Sequence, residues 1–276
     1  MNSPNQAPWR ATLFIKLSVA LHALVLVSLV VAPDLWLWAL AVVVVNHLVI
    51  AATGLWPRSN WLGPNWTQLP HAAANRNEIA LPIDDGPDPV VTPQVLDILD
   101  RFHVKATFFC IGKRAVQYPE LCREIVLRGH AVENHSQQHR HNFSLLGMGG
   151  FAREIQAAQD TLFSITGIHP KFFRAPAGLR NPFLDPVLNR LGLRLASWSV
   201  RGFDTQLKDA EKVKNKLLAG LCPGAIILMH DGNAARSNVG VPANESVPVI
   251  LTVLPSLLQA AEQKNLHFVT LQEAAL

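Results

Sequence analysis

Between residues 77 and 271, short β-branched or aromatic runs alternate with segments of helical periodicity about seven times. That alternation is the strongest constraint on the fold. Strands are expected at 78–83, 104–111, 131–134, 171–174, 193–200, 225–230 and 267–271. Helices are expected at 92–102, 119–128, 151–165, 182–191, 207–218 and 247–263. Thr92 is the expected N-cap of the first helix and Pro93 its first helical residue, while Gly129 and Gly167 close the second and third. Alternation of this kind implies a parallel sheet with crossover helices. No glycine-rich phosphate loop follows the first strand, which disfavours a doubly wound nucleotide-binding sheet. An irregular (β/α) barrel of about seven strands, closed or nearly closed, fits better. No internal repeat or low-complexity tract is visible beyond this alternation.

The preceding residues obey a different rule. Residues 11–32 and 35–56 are two apolar stretches of membrane-spanning length, interrupted only by Lys16, His22, Asn46 and His47. Pro33 and Asp34 separate them, so they form a tight hairpin. Six of the seven tryptophans lie in the first 66 residues, Trp36 and Trp38 at the turn and Trp9, Trp56, Trp61 and Trp66 at the open end. Indoles favour the headgroup zone. The competing readings are two buried core helices or a cleaved signal peptide, although Pro33 after Ala32 is a poor cleavage context. The expected organisation is therefore two transmembrane helices within 1–56, a linker at 57–76 and one large domain at 77–276. Arg10, Arg58 and Arg76 flank the open end and the turn has no basic residue. The positive-inside rule then favours the cytoplasmic face of the membrane, expected to be a bacterial inner membrane, for the large domain. Net charge is +4 without a basic cluster interleaved with aromatics, so no nucleic-acid partner is expected. Cys110, Cys122 and Cys222 read as core thiols and neither demand nor exclude an oxidising compartment.

The reactive residues fall at strand ends. Asp84 and Asp85 close the first strand and Gly86-Pro87 breaks it. Two carboxylates so close are costly unless a cation lies beside them; the plain alternative is a polar turn. His135 and His139 follow the third strand, Arg174 ends the fourth, Asp204 lies just past Val200, and His230 and Asp231 end 225–230. In a parallel barrel the carboxyl ends share one face, where active sites sit, and this convergence favours a site over a turn. If 134–139 turns helically, the i, i+4 imidazoles lie on one side and grip one metal. With an aspartate they make a His-His-Asp set with open positions, suited to Lewis-acid hydrolysis. His141 and His130 are rival ligands, though spacing favours His139. His22, His47, His103, His169 and His267 have bland contexts.

Asp84-Asp85-Gly86-Pro87, His135-Ser136-x-x-His139, Arg174-x-Pro176-x-Gly178, Trp198…Asp204 and Leu228-x-His230-Asp231 occur in order. Thr107-Phe108-Phe109 and Gly129-His130 are lesser points of agreement. Over about 77–271 the chain resembles the polysaccharide deacetylase (NodB-like) family, also called carbohydrate esterase family four. The resemblance implies a metal-dependent hydrolase that removes an N-acetyl group from an amino sugar. It implies Asp85, His135 and His139 as ligands of a divalent metal, zinc first, with cobalt, nickel or manganese as alternatives. It implies Asp84 as the general base for metal-activated water, with Arg174 holding it. His230 is then the general acid, oriented and made more basic by Asp204. The resemblance also implies a backbone N–H near Ala177 that faces the oxyanion and Leu228 as a wall of the acetyl pocket. Considered singly, Arg174 also reads as a surface ion pair, Asp204 as a cap of the helix near Leu207, His230 as a buried strand-end histidine and Leu228 as plain core.

Departures from the family pattern bear on substrate. Pro82-Ile83 stands where Thr-Phe is common, and Pro82 suits an edge or bulge. Ala177 replaces a common aromatic, Arg201 a frequent acidic residue and Thr205 a frequent Trp. A more open, more basic rim suggests a substrate bearing phosphate or acidic sugars, and with the hairpin it points to a lipid-phosphate-linked saccharide or an envelope glycan. A deformylase or O-acetyl esterase uses the same machinery, and a non-catalytic glycan-binding protein keeps the same fold.

Overall fold

A computed structural model describes residues 8–207, 209–232 and 248–276. Residue 208 in the expected 207–218 helix and residue 247 at the expected start of the last helix lie outside the described residues. Helices α1 (Leu13–Val31) and α2 (Trp36–Leu55) are joined by the short turn Pro33–Leu35. Thr12 caps α1 by accepting the Ile15 N–H. Both helices are long and apolar enough to cross a membrane, and only 6% of each apolar window is buried. Of the four polar residues that interrupt them, His22, Asn46 and His47 turn toward the neighbouring helix, while Lys16 is exposed. Asn46 donates to the Ser18 hydroxyl at 2.7 Å, and the His22 and His47 rings meet edge-on at 5.2 Å. Satisfying polar groups between helices and turning the aliphatic faces outward is how a spanning hairpin is solvated by lipid.

After α3 (His71–Asn75) come β1 (Glu78–Ile79), β2 (Pro82–Asp84), α4 (Val91–Arg101), β3 (Thr107–Cys110), α5 (Gly112–Gln117), α6 (Pro119–Leu127) and β4 (Ala131–Asn134). They are followed by α7 (Met148–Thr166), β5 (Phe172–Phe173), α8 (Leu184–Leu191), β6 (Arg194–Leu195) and β7 (Val200–Arg201). The chain continues through α9 (Ala210–Ala219), β8 (Ile227–His230), α10 (Val249–Gln263) and β9 (His267–Phe268). Among the described residues, seven strands form one parallel sheet in the order β6-β5-β4-β3-β2-β8-β7, and β1 and β9 make a separate pair. The sheet curls into a half-barrel. Its two edges, β6 and β7, come from the single run expected as one strand at 193–200. Residues 196–199 leave one edge and reach the other, Ala196 N–H bonding Phe173 O and Ser199 N–H bonding Ile226 O. Outside the sheet, Leu96 and Leu99 of α4 and Leu254 and Leu257 of α10 bury against Ile83, Phe108 and Met229. Phe151 and Ile155 of α7 and Leu188 of α8 bury against Phe173.

Several local expectations change. The run at 78–83 divides, β1 pairing with β9 and β2 joining the main sheet. Pro82 is therefore neither on an edge nor at a bulge. It is the first residue of a central strand, opposite Thr107, where a missing N–H costs least. Thr92 is not the N-cap: α4 starts at Val91, and the Asp88 carboxylate accepts the Val90 and Val91 N–H groups at 2.9 and 3.0 Å. Cys110 and Cys122 are buried, but Cys222 is exposed and not a core thiol. Residues 57–76 lie against the domain: Leu62, Leu69 and Ala73 are buried, and Trp66 bridges to Ala196.

Candidate active site

Adjacent residues on a strand point to opposite faces. Asp84, the last residue of β2, keeps its side chain on the mouth side. Asp85 reaches the same mouth because its backbone turns left-handed at φ 74°, a conformation aspartate tolerates. Gly86 then passes against Asp231, and a Cβ there would lie 2.5 Å from the Asp231 Oδ1. Asp231 accepts a hydrogen bond from the Thr92 hydroxyl. Burial pushes the Asp231 pKa up to about 7.

Arg174 follows β5 and is 1% exposed, so it is no surface ion pair. Its Nη1 donates to Asp84 Oδ1 at 2.8 Å, its Nε to Ala196 O at 3.0 Å and its Nη2 to Ser197 O at 2.7 Å. The guanidinium also lies 4.3 Å over the Phe109 ring. Burial pulls the Arg174 pKa below its usual value, and the Asp84 charge opposes that pull. Three directed hydrogen bonds and a stacked ring fix the guanidinium plane, and through it one oxygen of Asp84.

His135 and His139 do meet, though not through a helix. The segment turns with left-handed backbone at Ser136 (φ 64°) and His139 (φ 49°). Side chains impose that turn. Asn134 Oδ1 accepts the Ser136 N–H at 2.9 Å, Ser136 Oγ accepts the His139 N–H at 3.0 Å, and Glu154 of α7 accepts the Gln138 N–H at 2.9 Å. Asn and Ser at such spacing are turn-forming residues, the signal in sequence for these supporting groups. His135 Nδ1 lies 2.9 Å from the Arg174 carbonyl oxygen. A carbonyl only accepts, so Nδ1 carries the proton and Nε2 presents its lone pair to the site. Burial, and then the neighbouring His135, hold the His139 pKa down to about 4, which keeps this imidazole neutral at ordinary pH.

Asp85, His135 and His139 carry ligand atoms within 4.8 Å of one another. Asp85 Oδ1 is 3.4 Å from His135 Nε2 and 3.3 Å from His139 Nε2. A tetrahedral zinc with bonds of about 2.0–2.1 Å needs ligand atoms about 3.4 Å apart. The spacing and the donor chemistry both fit a zinc-like cation. His130 points away, its Nδ1 accepting the Ala106 N–H at 3.1 Å, whereas His141 lines the cavity.

His230 ends β8 across the mouth. Both oxygens of Asp204 serve it, Oδ2 accepting the His230 N–H at 2.7 Å and Oδ1 lying 2.9 Å from Nδ1. Asp204 is therefore not a helix cap; α9 is capped by Asp209, which accepts the Lys212 N–H. Burial opposes a charge on His230, but the Asp204 carboxylate, helped by Asp85 and Asp84, raises its pKa to about 9. Asp84, Asp85, His135, His139, Ala177, Leu228 and His230 share a cavity of about 320 Å³ with Trp198, Arg201 and Thr205. Ala177 enters it with left-handed backbone at φ 54°, and Leu228 is 1% exposed at its wall. Arg174 and Asp204 do not line it but stand behind it, bonded to Asp84 and His230.

The family model "Polysaccharide deacetylase" matches residues 71–196. A chitooligosaccharide deacetylase of Azorhizobium caulinodans is 36% identical over 195 residues, 69% of this chain and 92% of that protein. A peptidoglycan-N-acetylglucosamine deacetylase of Bacillus cereus is 31% identical over 223 residues, 75% of this chain and 79% of that protein. The crystal structure of the Bc1960 peptidoglycan N-acetylglucosamine deacetylase superposes with a TM-score of 0.66 at 27% identity, covering 76% of this chain and 92% of that one.

Proposed function

Because the chain belongs to the polysaccharide deacetylase (NodB-like) family and is a carbohydrate deacetylase, we propose that it hydrolyses the N-acetyl group of an amino sugar in an envelope glycan or lipid-linked saccharide, with a divalent metal held by Asp85, His135 and His139. The observation that carries this is the placement of three groups around one cavity: the Asp-His-His cluster, Asp84 tied to Arg174, and His230 tied to Asp204.

When bound, the cation supplies Lewis acidity toward water and the amide carbonyl. The chain's own groups move the protons. Asp84 takes a proton from the attacking water; Arg174 keeps that carboxylate pointed into the mouth while leaving one oxygen free. The Ala177 backbone N–H faces the oxyanion of the tetrahedral intermediate. His230, protonated at neutral pH, gives its Nε2 proton to the departing sugar nitrogen, and Asp204 holds the ring by Nδ1 for that transfer. Leu228 and Trp198 give the acetyl methyl an apolar wall.

The outward aliphatic faces of α1 and α2 support a hairpin retained in a membrane, with Arg10, Arg58 and Arg76 favouring the cytoplasmic face of a bacterial inner membrane for the large domain. A topology reporter fused after Leu276 tests the side. The activity is tested on the purified full chain with chitooligosaccharide, peptidoglycan fragments and lipid-linked N-acetylglucosamine, by acetate release and free amine. One equivalent of zinc and amine release lost about 10³-fold in Asp84→Asn, with metal retained, is expected. Formate in place of acetate would identify a deformylase, and acetate without free amine an esterase. Metal without turnover of any acylated sugar would leave glycan binding.

A further inference from the structure

We propose that the root of the α1–α2 hairpin is a wall of the active-site rim and holds the cavity at headgroup level, so that the substrate is an acetylated amino sugar carried on an amphiphile in the same membrane. This rests on the deacetylase reading and on the hairpin crossing the bilayer.

The argument begins with chain length. Helix α2 ends at Leu55, and Pro57 already touches the cavity wall. A Cβ placed on Gly178 would lie 2.6 Å from the Pro57 Cβ and 2.6 Å from Trp198, and both Gly178 and Trp198 line the cavity. Two residues reach at most about 7 Å. The headgroup zone is roughly 5–8 Å deep on each side of the hydrocarbon core. The cavity wall therefore lies at the depth of that zone, with no spacer to carry it toward a polymer tens of ångströms away.

The junction is also rigid. Pro57 O accepts from the Ser197 hydroxyl at 2.8 Å and from Asn65 Nδ2 at 2.9 Å, and Arg58 donates to Ser199 O at 3.3 Å. In the last turn of α2, Gly54 O accepts the Arg180 N–H at 3.1 Å. A Cβ on Gly54 would stand 2.2 Å from the Arg180 carbonyl oxygen, so only glycine admits this approach. Arg180 Nη2 donates to Ser59 O. The start of α1 is tied to the same end, Thr12 donating to Trp61 O at 2.6 Å and Trp9 to Asp185 at 2.6 Å. Trp56 and Trp61 remain 58% and 55% exposed around this junction, as indoles at headgroup level do.

Arg201 adds a chemical preference at the same rim. Its Nε is buried and has no hydrogen-bond partner among the described residues, and its guanidinium lies over Trp198 and Phe203 at 5.2 and 4.8 Å. A half-buried guanidinium at the cavity rim, with one donor unpartnered among the described residues, suits an anionic linkage such as the phosphate of a lipid-linked sugar.

The test reconstitutes the full chain with zinc in phosphatidylcholine vesicles. It compares polyprenyl-phosphate-linked N-acetylglucosamine in the same vesicles with soluble chitotetraose. At least about tenfold higher kcat/KM is expected on the vesicle-held substrate, the scale of a second binding step made intramolecular. A Gly/Ser insert of about ten residues after Trp56 should remove that preference while leaving the soluble rate within about twofold, since it lengthens the tether to α2 and leaves Pro57 and the residues that line the cavity unchanged. Equal kcat/KM on both substrates, an unchanged preference in the insert variant, or an equal loss on both substrates in that variant would overturn the inference and leave the deacetylase reading standing. Acetate released from neither substrate by the unaltered chain would overturn the deacetylase reading itself.

Discussion

Replacing Asp204 with asparagine should convert a broad alkaline plateau into an acid-shifted profile. His230 has its pKa raised from 6.5 to about 9, against the burial that works in the other direction. At pH 7.5 that keeps it almost wholly protonated, ready to donate. Asp204→Asn removes the charge and also one acceptor. Asparagine has a single oxygen, whereas the His230 backbone N–H and Nδ1 each use one oxygen of Asp204. With burial less opposed, the His230 pKa should fall to its ordinary value of about 6.5 or below, a differential of about 3 kcal/mol. The protonated fraction at pH 7.5 then drops roughly tenfold and kcat with it, with recovery at about pH 5.5. The assay is kcat against pH from 5 to 10 for both forms with the metal site saturated. An alkaline limb unmoved in the variant, or a loss equal at every pH, would refute the assignment of that limb to His230. The same pair sets a stability term. Because the folded pKa is the raised one, its contribution is complete below about 6.5 and is lost as pH rises through about 9.

Three further outcomes follow from the geometry. Arg174→Met leaves Asp84 buried without its partner and orphans the Ala196 and Ser197 carbonyls, so denaturant unfolding should show a loss of about 3–5 kcal/mol. His139→Ala should lower zinc affinity at least tenfold by competition with a chelator, while far-ultraviolet circular dichroism stays unchanged, since His139 is held at the mouth and not in the core. Arg201→Ala should reduce kcat/KM on a lipid-phosphate-linked sugar about tenfold more than on a neutral oligosaccharide; equal losses on both would remove the anion-reading role.

The hairpin and the fold class were written in the chain as patterns of water avoidance. Two long apolar stretches separated by Pro33-Asp34, and alternation of strand and helix periods after residue 77, need no knowledge of contacts to be read. The residue types at strand ends were equally legible, because parallel crossovers bring every carboxyl end to one face. What tertiary structure decided was how those side chains are aimed. His135 and His139 share a site through a left-handed turn held by Asn134, Ser136 and Glu154, and Glu154 lies on α7, remote in sequence. The run at 193–200 became both edges of the half-barrel because its two ends find different neighbours, Phe172 and Phe173 on one side and Ile227 and Leu228 on the other. Pro82 fell in a central strand because only pairing, not composition, shows where a strand begins. The close approach of Gly54 to Arg180 has no period or motif at all. Burial preferences are local properties of side chains and so survive in sequence; orientation, charge coupling and the meeting of hairpin with active site depend on distances between residues far apart in the chain, and only the folded molecule sets them.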